Sequence, residues 1–167
     1  TLIQQIIPSR QNRQTNFDKL DRMIGEKLTG EVKHLLKHLI YSSRPFGFDQ
    51  NILNGILVTS VDNNKRDQIT GALICRSDLY LQYLEGPADS INETFNKIQH
   101  DDRHVEIRVL KEGIHAERLF PKWAMRDDPV RSWMWSREEV DAGALDKISA
   151  SDAFNIFQRH SKELLSI

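Results

Sequence analysis

The most informative part of this sequence is the stretch Leu79–Gly86, LYLQYLEG. Its residues are mostly aliphatic or aromatic, which favours a β-strand, and Gly86 followed by Pro87 is typical of a strand end. Gln82 stands in the middle of this apolar run. Its amide carries two N–H donors and an acceptor oxygen, and burying them without partners costs free energy. The role of a glutamine in a core strand is therefore the first question that the sequence raises.

Composition limits the classes of protein to consider. The chain has 167 residues, 39% of them hydrophobic and 28% charged, which is typical of a globular domain with short appendages. Its net charge of -1 gives no basic surface for nucleic acid or anionic lipid. Cys75 is the only cysteine, so no disulfide framework is expected, and we interpret it as a small buried hydrophobe. Without a membrane-length apolar run or a signal peptide in the sequence, we expect a cytoplasmic protein.

The segment 37–126 begins with a strand pattern and then a helix pattern. The run HLIYSS around Tyr41 predicts a first strand, which ends at Arg44 and Pro45. The next run, FDQNILNGILVTSV, has apolar residues at helical spacing, and Asp49 near its start complements the helix dipole. We therefore predict a helix that buries a stripe of Phe48, Ile52 and Ile56.

Two further strands, a second helix and a fourth strand follow in the same segment. ITGALICR and LYLQYLEG are separated by Ser77 and Asp78, which predicts a hairpin. Pro87 is typical of the first turn of a helix. The apolar stripe of this second helix is Ile91, Phe95 and Ile98. The run HVEIRVLKE alternates apolar with charged residues, which predicts a half-exposed strand that buries Val105, Ile107 and Val109.

The order of these elements predicts an α+β, ferredoxin-like βαββαβ fold, with a short additional strand near Trp123 and Met125. Both helices should lie on one face of the sheet. We expect the first and third strands to be central, parallel neighbours, which would bring Tyr41 beside Gln82. Because both faces of LYLQYLEG are apolar, the face without these helices needs a cover from outside the core.

The two ends of the chain are candidates for this cover. Residues 1–36 contain one amphipathic helical stripe, which we expect to serve as a cover or as a dimer interface: Phe17, Leu20, Ile24 and Leu28. In residues 127–167, Ser136 and Glu139 fit a capping box, and Ser149 or Ser151 caps a last helix. Its stripe of Phe154, Phe157 and Leu164 is expected to cover the second face. We interpret Trp133 and Trp135 as packing residues.

The sequence contains no nucleophile elbow, phosphate-binding loop or dinucleotide fingerprint, and its six histidines are scattered, so we predict neither an enzyme nor a metal site. What remains is a set of amides and aromatics: Tyr41, Asn63, Asn64, Gln82 and Trp123. The two asparagines could form a helix C-cap, and Tyr41 could be a core tyrosine. Together they suggest an apolar pocket edged by amides, which suits a planar heterocycle.

Five motifs in this segment resemble a known family, the BLUF domains, which sense blue light using FAD. The motifs are LIYSSRP around Tyr41, NNKRDQITGALI around Asn64, LQYLEG around Gln82, IQHDDRH ending at His104, and FPKWAM with Trp123 and Met125. They occur in family order over residues 37–126. This resemblance implies a photosensor domain there, with 1–36 and 127–167 as helical extensions.

The resemblance also implies roles for individual residues. FAD would lie between the two helices, with Tyr41 as the photo-oxidised tyrosine and Gln82 as the hydrogen-bond switch. Asn64, with Asn63 beside it, would hold the pyrimidine edge of the ring. The remaining candidates would pack on the ring faces (Ile56 and Ile98), line the ribityl and ring-edge side (Lys97, Asp101 and His104), or face the flavin from the last strand (Trp123 or Met125). Lys97 replaces an arginine of many relatives, and Asn63 a histidine of some.

The mechanism implied by the resemblance is light-driven proton-coupled electron transfer from Tyr41 to the flavin, after which the hydrogen bonds of Gln82 rearrange. The signal would reach a downstream protein partner or change a homodimer or higher oligomer. The alternative is a ferredoxin-like ligand-binding or small hydrolase domain without photochemistry, for which Arg44 is the one candidate catalytic residue.

Overall fold

The computed structural model describes residues 35–166, so the predicted N-terminal helix lies outside the described residues. The elements follow one another along the chain as β1 (Leu36–Pro45), α1 (Gln50–Asp67), β2 (Thr70–Arg76), β3 (Leu79–Gly86), α2 (Ala88–Gln99), β4 (His104–His115), β5 (Arg126–Pro129), α3 (Arg137–Asp141), a 3-10 turn (Ala144–Asp146) and α4 (Ala150–Leu165). This order confirms the predicted α+β, ferredoxin-like arrangement. No helix within the described residues has both the length and the apolar character to cross a membrane.

The strands form one sheet in the order β4-β1-β3-β2-β5. The prediction that the first and third strands are parallel is wrong, because β1 and β3 pair antiparallel. The reason is topological. The α1 crossover returns the chain so that β2 runs in the direction of β1, and the two-residue hairpin then reverses β3. The predicted neighbours are nevertheless correct, since Tyr41 lies opposite Gln82 in the register.

The strand β3 is buried along its whole length. Its carbonyl at Tyr83 comes so close to Gly71 of β2 that a Cβ on Gly71 would lie 1.9 Å from that oxygen. Only glycine allows this approach of the two backbones. Alternate residues of β3 point to opposite sides, so one strand supplies the core on both faces of the sheet.

The helix α1 starts as predicted but buries a different stripe. The Asp49 side chain accepts a hydrogen bond from the Asn51 N–H at 2.6 Å, and the helix ends with Gln68 in a left-handed conformation. Asn64 therefore lies inside the helix and is not its C-cap. Phe48 and Ile52 are exposed, while the buried residues of α1 are Leu53 and Asn64. The predicted stripe therefore faces partly toward solvent, and a neighbouring side of α1 meets the sheet.

The edge strand β4 also departs from its predicted pattern. Val105 and Val109 are exposed, although alternation predicted them buried. Two register shifts interrupt the pairing of β4 with β1, and Glu106 adopts a positive φ of 57°. Such bulges change which residues face the core, so a strict period of two fails here.

The C-terminal helix α4 covers the second face, as predicted. Phe157 is fully buried in a cluster with Ile40, Leu81 and Tyr83 of the sheet. The Ser136 capping box is present at α3, and the Ser149 side chain caps α4. The two tryptophans are packing residues: the Arg159 guanidinium lies 4.1 Å from the ring of Trp133, and Trp135 packs against the same cluster.

The loop that leads from β4 to β5 is fixed by the buried carboxylate of Glu85. Its oxygens accept hydrogen bonds from the backbone N–H groups of Leu119 at 2.8 Å and Phe120 at 2.7 Å. Further along the loop, the Trp123 carbonyl accepts a hydrogen bond from the Gly71 N–H at 3.0 Å. These contacts set the position at which β5 joins the sheet, parallel to β2. Because β5 ends at Pro129, this strand crosses the predicted domain boundary at 126.

Candidate functional site

A cavity of about 210 Å³ opens between α1, α2 and the sheet. The residues predicted for the site line it, with the exception of Trp123: Tyr41, Ile56, Asn63, Asn64, Gln82, Lys97, Ile98, Asp101, His104 and Met125. Ile56 comes from α1 and Ile98 from α2, so apolar side chains stand on two sides of the space. The fold therefore brings together residues that are far apart in the sequence.

The floor of the cavity holds a chain of buried hydrogen bonds. The Tyr41 hydroxyl donates to Oε1 of Gln82, and Nε2 of Gln82 donates to Sδ of Met125 at 3.3 Å. All three side chains are buried. Gln82 thus has protein partners at both ends of its amide, which answers the question that its position in the strand raised. A thioether sulfur is a weak acceptor, so the Met125 end is the weaker of the two contacts.

Tyr41 is held in its protonated form. Burial, with smaller contributions from Asp101 and Tyr80, raises the pKa of the Tyr41 hydroxyl far above its usual range. The phenol therefore remains a hydrogen-bond donor at any physiological pH. Among the described residues, the amide oxygen of Gln82 is the hydrogen-bond acceptor for this proton.

The two asparagines of α1 differ in their surroundings. Asn64 is buried and its Nδ2 donates to the Ala124 carbonyl oxygen at 2.8 Å, which ties α1 to the residue before Met125. In the described part of the chain this bond uses one of the two amide N–H groups, which leaves the other N–H and Oδ1 for a ligand. Asn63 is exposed at the rim of the cavity.

His104 forms part of the cavity wall and is fixed by the protein on both ring nitrogens. Nδ1 lies 2.7 Å from the Ser43 hydroxyl, and Nε2 lies 2.8 Å from the Ile98 carbonyl oxygen. Since that carbonyl can only accept, Nε2 carries a proton. These bonds join β1, β4 and the end of α2, so His104 shapes the wall rather than offering a free ring nitrogen.

The charged residues at the rim are paired with one another. Arg103 binds both carboxylate oxygens of Asp101, and this hydrogen bonding, against the opposing effect of burial, lowers the pKa of Asp101. Lys97 lies 3.1 Å from Glu93 one turn earlier on α2, and both side chains are exposed. The rim therefore carries two cations, Lys97 in an exposed and solvent-screened ion pair and Arg103 in a part-exposed bidentate pair with Asp101.

Met125 and Trp123 lie on different sides of the structure. Met125 lines the cavity and contacts Gln82, whereas Trp123 packs against the cluster under α4, with its ring centroid 6.4 Å from that of Phe120. Arg44, the candidate of the hydrolase alternative, pairs with Glu106 at 3.4 Å and does not line the cavity.

Several lining residues were not among the sequence candidates, including Tyr80, Leu84, Ser60, Thr94 and Arg103. Periodicity could have found some of them. Tyr80 and Leu84 lie two residues from Gln82 on the same side of β3, and Ser60 lies one helical turn before Asn64. The position of Arg103 carries no such signal, because it follows from the conformation of the loop between α2 and β4.

The donor set suits a planar heterocycle. Apolar side chains stand on two sides of the cavity, and the amides of Asn64 and Gln82 offer it hydrogen-bond donors and acceptors. Within residues 35–166 no three histidine, cysteine or acidic side chains are grouped so that they could hold a metal ion. The chemistry of the cavity fits a flavin ring.

Comparisons with known proteins agree with this geometry. The family described as "Sensors of blue-light using FAD" (BLUF) matches residues 36–126. The beta subunit of photoactivated adenylate cyclase from Euglena gracilis is 28% identical over 128 residues, which cover 71% of this chain and 15% of the relative. The chain thus spans a small part of the length of that relative.

Solved structures give the same result. BlrB, a BLUF protein in its dark state, is 28% identical with a TM-score of 0.64, and the match covers 77% of this chain and 96% of BlrB. BlrP1 from Klebsiella pneumoniae, solved with FMN and cyclic diGMP, is 27% identical with a TM-score of 0.54, over 67% of this chain and 29% of BlrP1. Together with the family match over more than half of the sequence and a cavity that fits a flavin ring, these similarities show that the chain belongs to the BLUF family of blue-light sensors.

Proposed function

We propose that this chain is a blue-light photoreceptor that binds FAD in the cavity between α1 and α2 and signals through Gln82. The observation that carries the proposal is the buried sequence of contacts Tyr41–Gln82–Met125 at the cavity floor. In this sequence of contacts the Gln82 amide, which can turn over, lies between the Tyr41 phenol and Met125, the residue before β5.

The lining residues would hold the cofactor by their chemistry. Asn64 and Gln82 would bind the polar edge of the ring, with Ile56 and Ile98 on its faces. FAD is the flavin that the family description names. The cations of Lys97 and Arg103 at the rim would favour its anionic diphosphate, because both are held only by exposed or part-exposed ion pairs.

Tyr41 would act as electron and proton donor. A bound flavin would supply the absorption of blue light and the electron acceptor. Tyr41 loses an electron from its ring, and its hydroxyl proton leaves along the hydrogen bond toward Oε1 of Gln82. Because burial disfavours the charged phenolate, proton loss follows electron loss. Electron and proton later return to Tyr41, so the cycle has no net redox product.

Gln82 would store the signal. In the arrangement observed, Oε1 accepts from Tyr41 and Nε2 faces Met125. Turning the amide by half a turn would place Nε2 on the Tyr41 hydroxyl and Oε1 beside a thioether, which cannot donate. The two arrangements therefore present different groups to a ring in the cavity. Intermediate orientations would leave the amide with hydrogen bonds unmade, which is costly, so the two arrangements stay discrete.

The output would leave through Met125 and β5 toward the C-terminal helices. A protein partner or a change in self-association would read it, and we propose a sensor role without catalysis for the segment described.

Absorption spectroscopy tests the proposal. The purified chain, as isolated or after adding FAD, should be yellow, and blue light should shift its flavin band slightly to the red, with recovery in the dark. Parallel loading with FMN measures the preference for FAD. A chain that stays colourless with both flavins, or that binds FAD without any light-induced shift, would contradict the proposed function.

A further inference from the structure

A buried hydrogen bond joins the strand that leaves the cavity to the last helix. Nε2 of His160, in α4, donates to Oδ2 of Asp128, in β5, at 3.0 Å. His160 is fully buried and Asp128 is nearly so. Among the buried side chains that pack α4 against the sheet, His160 is the one that pairs with a carboxylate.

This pair is connected to the cavity by a short path. Asp128 follows Met125 by three residues, and the intervening backbone belongs to β5, which pairs with β2 from Ala72↔Arg126 to Cys75↔Pro129. A displacement of Met125 therefore reaches Asp128 through a few residues of paired strand. The path begins at the Gln82 amide, which contacts Met125.

A second branch reaches the same carboxylate. Arg126 lies 2.9 Å from Asp128 and its guanidinium stands 5.2 Å from the ring centroid of Trp123. The Trp123 carbonyl in turn accepts a hydrogen bond from the Gly71 N–H. Asp128 is thus the point where the segment 123–126 and α4 meet.

Packing alone does not explain the pair. Burial lowers the pKa of His160, an effect that Asp128 opposes, and Nδ1 has no partner within residues 35–166. A buried polar pair with one unpaired nitrogen often stabilises a fold no more than apolar residues of the same volume would. The best-attested use of such a pair is to fix one register among alternatives.

We propose that the Asp128–His160 hydrogen bond couples the Gln82 switch to α4 and holds Met125 in its dark position. This inference rests on the proposed function and names the route of its output. Since coupling between two sites is reciprocal in free energy, a change in α4 alters the free energy of the light arrangement of Gln82 relative to the dark one. We expect the rate of dark recovery to respond to this change. The side chain of His160 acts through Asp128 and β5, so it is a positioning residue.

Three variants in the full FAD-loaded chain test the coupling. His160→Leu removes the donor and keeps an apolar side chain, His160→Gln keeps an N–H donor, and Lys162→Gln changes an exposed residue of the same helix. We expect His160→Leu to slow dark recovery by about fivefold or more, the lower range of typical couplings. His160→Gln should recover within about twofold of wild type, and Lys162→Gln should recover at the wild-type rate, since it touches none of these contacts.

Two kinds of result would overturn the inference while the proposed function stands. One is a folded His160→Leu protein with a normal red shift and wild-type recovery. The other is an equal effect of all three variants, or of both His160 variants, since the hydrogen bond would then not be the cause.

Hydrogen exchange of the wild-type chain gives an independent test if His160→Leu does not fold. Illumination should increase amide exchange in α4 around Phe157 and His160 and leave the hairpin between β2 and β3 unchanged. Unchanged exchange in α4 during a normal photocycle would contradict the coupling. A wild-type chain without any red shift would contradict both proposals.

Discussion

The two faces of the sheet are built from the same strands and are used differently. We call the side under α1 and α2 the cavity face and the side under α4 the packed face. In β3, Gln82 points to the cavity face while its neighbours Leu81 and Tyr83 point to the packed face. On the packed face, the ring of Tyr83 lies 5.4 Å from those of Phe120 and Phe157. On the cavity face, space and a polar chain of contacts remain.

This difference indicates that the packed face supplies stability and the cavity face supplies the switch. The packed face buries apolar area and has one arrangement, because close-packed side chains resist displacement. The cavity face keeps polar groups that satisfy one another and can exchange partners. We therefore expect substitutions of apolar residues on the packed face to change mainly the free energy of unfolding, and those on the cavity face to change the response to light. The polar His160, which contacts β5, is the exception proposed above.

The largest expected effect is that of Phe157→Ala on the packed face. Removing a fully buried ring that contacts Tyr83 and Phe120 should lower the free energy of unfolding by about 3–5 kcal/mol. Phe46→Ala is the matched control, since Phe46 is 68% exposed and should cost no more than about 0.5 kcal/mol. Urea unfolding of both variants measures this, and equal losses would show that burial of Phe157 on the packed face is not a main source of stability.

Acid should weaken the packed face through His38. Burial, with smaller contributions from His115 and Lys111, lowers the pKa of His38 from 6.5 to about 4. Between these values the unfolded chain binds a proton that the folded chain does not, so stability falls as the pH drops from 6.5 toward 4. By pH 5 the loss from His38 should be about 2 kcal/mol.

Urea unfolding at pH 7.5 and pH 5, with His38→Leu beside the wild type, isolates this contribution. The variant should lose about 2 kcal/mol less than the wild type over this interval, because leucine does not titrate. Identical pH dependence in both proteins would show that His38 has the same pKa in the folded and the unfolded chain, which contradicts the lowered value.

On the cavity face, Gln82→Leu should cost about 1–3 kcal/mol of unfolding free energy, because it leaves the Tyr41 hydroxyl unpaired. Leucine has a similar size, so flavin binding should persist. The light-induced red shift should disappear, since leucine has no hydrogen bonds to rearrange. Difference spectra before and after blue light measure this, and a normal shift would remove Gln82 from its proposed role.

The smallest effect on stability is expected for Tyr41→Phe, about 1 kcal/mol, because only one hydroxyl is lost. The ring still fills its place beside Phe95, whose centroid lies 5.6 Å away. The variant should bind FAD and fail to photocycle, as monitored by the same spectra. A wild-type light state in this variant would mean that another residue donates the electron and proton.

The sequence alone was sufficient for the order of elements and for the central contact of the site. Strand and helix periods, the Ser77–Asp78 turn and the Ser136 capping box are local signals, and the structure contains each of them. The neighbourhood of Tyr41 and Gln82 followed from the fold class. The resemblance of five motifs to the family then predicted most of the residues that line the cavity.

Other features depended on contacts between distant segments. The rotation of α1, which buries Leu53 instead of Ile52, is set by the surface that the sheet offers to the helix. The bulges of β4 arise because this edge strand has a partner on one side only. Neither is encoded in the spacing of apolar residues within its own element.

The sequence by itself determined the elements and their order, because periodicity and turn residues act over a few positions. The fold class that this order predicts then placed Tyr41 beside Gln82. Only the tertiary structure decided that Met125 faces the cavity while Trp123 faces the packed side, and that Asp128 meets His160. Both outcomes depend on how β5 aligns with β2, and no local pattern fixes the register of two strands that are about fifty residues apart.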